Sequence, residues 1–148
     1  MAYFVFIKNS ENLSGVLYRI AENEFDLNNL NIIKSDYKII EDSQDNFNAV
    51  KLNNKTVSYY LNNTIYYEES INNFADKIPL TNYVEETKKQ VLSFLNNNKT
   101  HPSYTLWNNY YNQLNNLNLD TITYPLTKSL PQYFNDLGQL SLNTLQIP

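Results

Sequence analysis

The chain has 148 residues, a net charge of −4 and no cysteine. That length fits one domain burying about 68–70% of the surface its unfolded chain exposes, and the missing thiols exclude disulfides, thiolate zinc sites and iron–sulfur clusters. One Arg and ten Lys against fifteen carboxylates leave no basic groove, which excludes nucleic acid as a partner.

The 26 Asn and 13 Tyr, beside only 2 Gly, are the residues that A/T-rich codons favour. Four N-x-S/T sequons, at Asn12, Asn54, Asn62 and Asn98, are no more than this composition produces by chance. The first residues, "MAYFVFIKNSE", have no basic leader, and their apolar run is too short for a signal peptide. No apolar stretch approaches the roughly 20 residues of a membrane helix. The expectation is a chain neither exported by a cleaved signal nor inserted in a membrane.

In chain order, Ala2–Lys8 places Tyr3, Val5 and Ile7 on one face and Phe4 and Phe6 on the other, which predicts a strand buried on both sides. A loop, "NSENLSG", leads to a second strand over Val16–Ala21, where Val16, Tyr18 and Ile20 alternate with Leu17 and Arg19. Together they form a hairpin whose loop Gly15 closes. Asn23 is the N-cap of a short helix that carries Phe25, Leu27 and Leu30 as its apolar residues. "DYKIIE" is a strand, and Ser43 opens a second short helix burying Phe47 and Val50. "KTVSYYL", Asn62-Asn63 and "TIYYEE" make another hairpin, because Asn tolerates the left-handed backbone of a two-residue turn.

The period changes to 3.6 beyond Ser70, with Ile71–Pro79 as the best boundary. Thr81 is expected to cap a helix with Tyr83, Val84, Val91, Leu92 and Leu95 as its stripe and Glu85/Lys89 as a supporting pair. Pro102 starts a second helix. Its apolar face holds Leu106, Trp107, Tyr110, Tyr111, Leu114 and Leu117, and amides fill the opposite face. The short loop makes the two helices antiparallel neighbours. "TITYPL" is extended, Pro131 opens a short helix that Gly138 stops, and "QLSLNTLQIP" is an apolar tail. The predicted class is α+β: a small, mostly antiparallel ββαβαββ sheet region over 1–70, then a helical region over 71–148.

Catalytic chemistry has few footholds. The lone histidine, His101, precedes Pro102 at a helix start and reads as a cap or loop residue rather than a general base. With glycine only at 15 and 138, no phosphate-cradling G-x-G-x-x-G or P-loop exists. The pairs Glu41/Asp42, Glu68/Glu69 and Glu85/Glu86 diverge as neighbours on a strand or helix must, so they form a solvated face and not a glycosidase dyad. No catalytic residue, cofactor or metal site is predicted, and the chain is expected not to be an enzyme. A carboxylate-only Mg²⁺ or Ca²⁺ site is the one metal chemistry left open.

The closing run, "LWNNYYNQLNNLNLDTITYPLTKSLPQYFNDLGQLSLNTLQIP", resembles the ending of small proteins of marine tailed bacteriophages of the contractile-tailed cyanophage type, and "YRIAENEFDLNNLNIIKSDYKIIEDS" is similar to the same group. Leu140 departs from that pattern, which has a smaller or turn-forming residue between Gln139 and Ser141. The resemblance implies a virion structural component at the tail, baseplate, neck or fibre attachment, or alternatively a tail-assembly chaperone absent from the particle. It implies other phage structural proteins as partners, with self-association, and a place in the virion tail after assembly in the host cytoplasm. Tyrosine and tryptophan suit interfaces, where a ring buries area and a polar tip keeps a hydrogen bond. The candidate interface residues are therefore Tyr104, Trp107, Tyr110, Tyr111, Tyr133, Phe134, Leu142, Leu145 and Ile147, with Trp107, Tyr110 and Tyr111 packing either against the preceding helix or across a subunit boundary.

Overall fold

A computed structural model of the chain describes residues 1–8, 14–70 and 73–148. Most of the expected "NSENLSG" loop, with its sequon at Asn12, lies outside the described residues, as do the first two residues of the expected boundary at Ile71–Pro79. The fold is α+β, in two compact units: Met1–Ser70 together with Leu145–Pro148, and Ile71–Thr144.

The first unit is built on strands β1 (Ala2–Lys8), β2 (Ser14–Ala21), β3 (Tyr37–Asp42), β4 (Lys55–Leu61) and β5 (Thr64–Glu69), with short helices α1 (Glu24–Asn28) and α2 (Gln44–Lys51). The sheet order is β3-β1-β2-β4-β5, and every neighbouring pair is antiparallel. β1 is interior and two-faced, as its double apolar pattern requires. Ala2, Phe4 and Phe6 join Ile20, Ile40, Val57, Tyr60 and the α2 residues Phe47 and Val50 on one side, while Val5 joins Ala21, Leu27 and Leu30 on the other. The sheet curls so far that its two edge strands touch: the Tyr67 hydroxyl on β5 donates to Asp42 Oδ2 on β3 at 2.5 Å.

Local signals explain the connections. Asn23 Oδ1 accepts from the Asp26 amide and Ser43 Oγ from the Asn46 amide, each satisfying an otherwise orphaned helix donor. Asn62 and Asn63 both have positive φ, 51° and 65°, the backbone of a two-residue hairpin turn. Asn31 and Asn53 are left-handed too, so among the described residues each non-glycine residue with positive φ is an asparagine. In a chain with two glycines, asparagine supplies the left-handed turns.

One expected alternation gives way to a bulge, and a second strand carries a bulge too. Arg19 pairs with Val5 and Leu17 with Phe6, so Tyr18 is an extra residue in β2. This turns Leu17 towards the same core as Ile20 and leaves Val16 70% exposed. In β4, Val57 pairs with Tyr67 and Tyr59 with Tyr66, which makes Ser58 the extra residue. Gly15 lies within β2 rather than closing a loop: a Cβ there would sit 2.1 Å from the Ile7 carbonyl oxygen. Phe25, one of the apolar residues of α1, is 64% exposed while Leu27 is buried, since residues two apart on a helix do not share a face.

The second unit holds α3 (Lys77–Asn97), α4 (Tyr104–Asn115) and α5 (Leu130–Asp136). α3 starts earlier than the sequence suggested. Asp76 caps it by accepting from the Ile78 amide, and Pro79 falls in the first turn, where its missing N–H costs no intrahelical bond. Thr81, displaced from the cap, donates its hydroxyl to the Lys77 carbonyl. Leu80, Val84, Thr87, Val91, Phe94 and Leu95 are buried, whereas Leu92 is exposed. The Glu85 partner is Lys88 at i, i+3, 2.8 Å away, rather than Lys89.

Pro102 precedes α4 instead of opening it, and the Ser103 amide donates to His101 Nδ1 at 3.0 Å. α3 and α4 pack together as neighbours. α5 is capped by Ser129 and carries Pro131 in its first turn. Its end is a Schellman arrangement: Gly138 at φ 69°, its amide on the Asn135 carbonyl, and the Gln139 amide on the Phe134 carbonyl. "TITYPL" is tied down at Leu126, whose amide and carbonyl both bond to Phe74. Leu140, the departure from the phage pattern, is bracketed by the Gln113 side chain, which donates to its carbonyl at 2.8 Å and accepts from its amide at 3.1 Å.

Candidate functional site

The nine predicted interface residues do not form one surface. Trp107, Tyr110 and Phe134 are fully buried in the second unit, in a run of mostly edge-to-face rings: Phe94–Trp107 at 6.4 Å, Trp107–Tyr110 at 5.9 Å, Tyr110–Phe134 at 6.0 Å and Phe134–Tyr133 at 5.9 Å. Edge-to-face contact is the favoured geometry of aromatic quadrupoles, and four such contacts in sequence use these faces up internally. Burial raises the Tyr110 hydroxyl pKa, with the neighbouring Tyr83 adding to the effect. These three residues are core, because α4 turns its apolar face onto α3 and α5. Leu142 and Ile147 are buried as well. Tyr104, Tyr111, Tyr133 and Leu145 are half-buried. Leu106, expected on the inner face of α4, is exposed.

The surface that the sequence did not single out lies on the β4–β5 hairpin. The Ser58 bulge breaks the alternation of β4, so Val57 and Tyr60 share the core side and Tyr59 points away from it. There Tyr59 stacks on its cross-strand partner Tyr66, with ring centroids 4.8 Å apart and planes 16° from parallel. Both rings remain 43% exposed, and Leu61 beside them is 39% exposed. Two flat rings held parallel on a paired strand lose little side-chain freedom when something covers them, which lowers the entropic cost of binding.

A second arrangement concerns the chain's single arginine. Arg19 Nη1 donates to the Tyr18 carbonyl at 2.8 Å, its guanidinium lies 4.3 Å from the centre of the Tyr18 ring, and that ring packs 5.0 Å from Tyr37. So oriented, Arg19 Nε donates to the Ile147 carbonyl at 2.9 Å. Leu145 packs against the sheet core, next to a cavity of about 210 Å³ bordered by Leu17, Val50, Lys55 and Val57. Sequence reading passed over Arg19, although one signal was there: where ten of eleven cations are Lys, a lone Arg marks a place that wants a planar, fixed fork.

Among the described residues the titratable groups do not converge on a reacting centre. Asp42 is structural: Oδ1 accepts from the Ser43 amide at 2.7 Å, while Oδ2 accepts from Asn46 at 3.3 Å and from Tyr67. Burial, followed by the hydrogen bond to Asp42 and its charge, raises the Tyr67 pKa. His101 caps a turn and meets Phe94 edge-on at 5.3 Å. Among the described residues no cluster of three His, Asp or Glu is placed to hold a metal ion, and no helix is long and apolar enough to cross a membrane. A cleft of about 350 Å³ in the second unit, bordered by Asn116, Asn118, Thr121, Tyr133 and Gln139 among others, carries no charged side chain. No protein-family model, curated protein or solved structure matches the chain.

Proposed function

We propose that the chain is a structural component of a bacteriophage virion, at the tail, baseplate, neck or fibre attachment, and that it works by protein–protein packing rather than catalysis. The observation that carries this reading is the exposed, parallel Tyr59–Tyr66 pair beside Leu61, a rigid aromatic patch on a strand at the sheet edge. Large flat side chains on a rigid element are the anchors that protein interfaces use most. The resemblance of the closing run to cyanophage proteins supplies the setting, and the partner is then another phage structural protein.

Mass spectrometry of gradient-purified particles of a phage that expresses the protein tests the reading. Presence in the particle supports it; expression during infection with absence from the particle moves the protein to the tail-assembly chaperones. The double substitution Tyr59→Ser with Tyr66→Ser is expected to leave the isolated protein folded, since a cross-strand pair contributes only about 0.2–1 kcal/mol, and to abolish incorporation.

A further inference from the structure

The cleft of about 350 Å³ in the second unit falls within the range of small-molecule sites, about 300–1,000 Å³. One side of it is the end of α4 and the turn that follows, with Asn116, Leu117, Asn118 and Thr121. The other is α5 and its Schellman end, with Tyr133, Leu137 and Gln139. The walls are fixed by hydrogen bonds of their own. Both ends of the Gln113 amide hold Leu140, Asn118 Oδ1 accepts from the Asp120 amide at 3.0 Å, and the Thr121 hydroxyl donates to the Asn118 carbonyl at 2.9 Å. Walls already ordered in this way lower the entropic cost of binding. The side-chain amides of Asn116 and Gln139, the Asn118 amide nitrogen and the Tyr133 hydroxyl make no hydrogen bond among the described residues. Beside them Leu137 is 55% exposed.

Charge decides which ligands suit these groups. No Lys, Arg, Asp or Glu lines the cleft, and α4 and α5 both reach their C-terminal ends at its border, where a helix carries partial negative charge. An anion would meet no cation there and two unfavourable helix ends; a cation would meet no carboxylate to replace its water. A hydroxyl both donates and accepts, as carboxamides and a phenol also do, so a ligand rich in hydroxyls satisfies all four unspent groups. The C–H face of a sugar ring covers apolar surface of the kind that Leu137 presents. A peptide, by contrast, offers its donors and acceptors along an extended line and calls for a long groove or a sheet edge. We propose that this cleft binds a neutral saccharide, with Asn116, Asn118, Tyr133 and Gln139 on its hydroxyls and Leu137 under a ring face. The site belongs to the second unit and is independent of the Tyr59–Tyr66 patch of the first.

The test follows two-dimensional amide NMR spectra of the full chain during titration with cellobiose, maltotriose, mannobiose and diacetylchitobiose, each taken to about 10 mM, well past a Kd of about 1 mM. At least one of them is expected to move the side-chain amide signals of Asn116, Asn118 and Gln139 saturably, while glucuronate and the capped tripeptide acetyl-Ala-Asn-Ala-amide leave them in place. Asn116→Leu with Gln139→Leu should raise the Kd of that saccharide about tenfold or more, as the loss of two hydrogen-bonding groups does, with the rest of the spectrum unchanged. If this variant does not fold, Tyr133→Phe takes its place and should raise the Kd about threefold. The proposal is overturned by silence towards every saccharide, by an unchanged Kd in the variant, or by a response to glucuronate or the tripeptide alone, the last of which would make the cleft a peptide site.

Discussion

Replacing Trp107 with Ala separates a core role from a surface role at the centre of α4. The indole is 2% exposed and meets Phe94 and Tyr110 edge-on at 6.4 and 5.9 Å, so its removal leaves a cavity between α3 and α4 and breaks two aromatic contacts. Truncating a buried Trp costs about 3–5 kcal/mol, and two lost edge-to-face pairs at about 0.5–1.5 kcal/mol each put this site at the upper end. With a urea dependence of about 2 kcal/mol per molar, the unfolding midpoint should fall by roughly 2 M. Far-ultraviolet circular dichroism is the suitable signal, because the second unit carries the two longest helices and the variant no longer has its one indole as a fluorescent reporter. A midpoint shift under about 0.5 M, which is about 1 kcal/mol on the same slope, together with lost assembly, would refute the argument and return Trp107 to a binding surface.

The two glycines should fail differently on mutation to Ala. Gly15→Ala drives a Cβ into the Ile7 carbonyl and within 2.8 Å of the Tyr60 ring, so a loss of about 3 kcal/mol or more is expected in urea unfolding. Gly138→Ala meets nothing within 4 Å, and its penalty of about 1 kcal/mol comes from the φ of 69° alone. Tyr60→Phe removes a buried hydroxyl that has no hydrogen-bond partner among the described residues. The variant should be as stable as the parent or up to about 1 kcal/mol more so, and a loss above that would reveal a partner. Tyr67 keeps its proton more firmly when folded than when unfolded, so its contribution is fully present below the ordinary tyrosine pKa of about 10 and declines as pH rises past it. Tyr67→Phe should flatten the alkaline decline in stability measured by denaturation between neutral pH and pH ~11. Tyr3, Tyr37 and Tyr60 shift in the same direction and should preserve part of it.

What the sequence made legible was whatever a few adjacent residues decide. Asn23 and Ser43 cap helices, Asn62-Asn63 turns a hairpin and Gly138 ends α5, because each motif closes its hydrogen bonds within about five residues. Competition between neighbouring signals was harder: both Asp76 and Thr81 can cap, and the geometry of Pro79 admits the earlier start. The bulges at Tyr18 and Ser58 left no mark, since neither "LYR" nor "VSY" differs from an unbroken strand, yet one of them exposes Tyr59. The aromatic face of α4 was found, but whether such a face is core or interface depends on what α3 and α5 bring to it. Arg19 and Ile147 lie 128 positions apart, beyond the reach of any local rule.

The split make-up of the first unit also has a temporal side. Translation at about 5–20 residues per second places the making of Leu145 roughly 4–15 s after that of Ser70. Through that interval the nascent chain presents Arg19 and the apolar seat of Leu145 with nothing of its own to put there, while the second unit is being made.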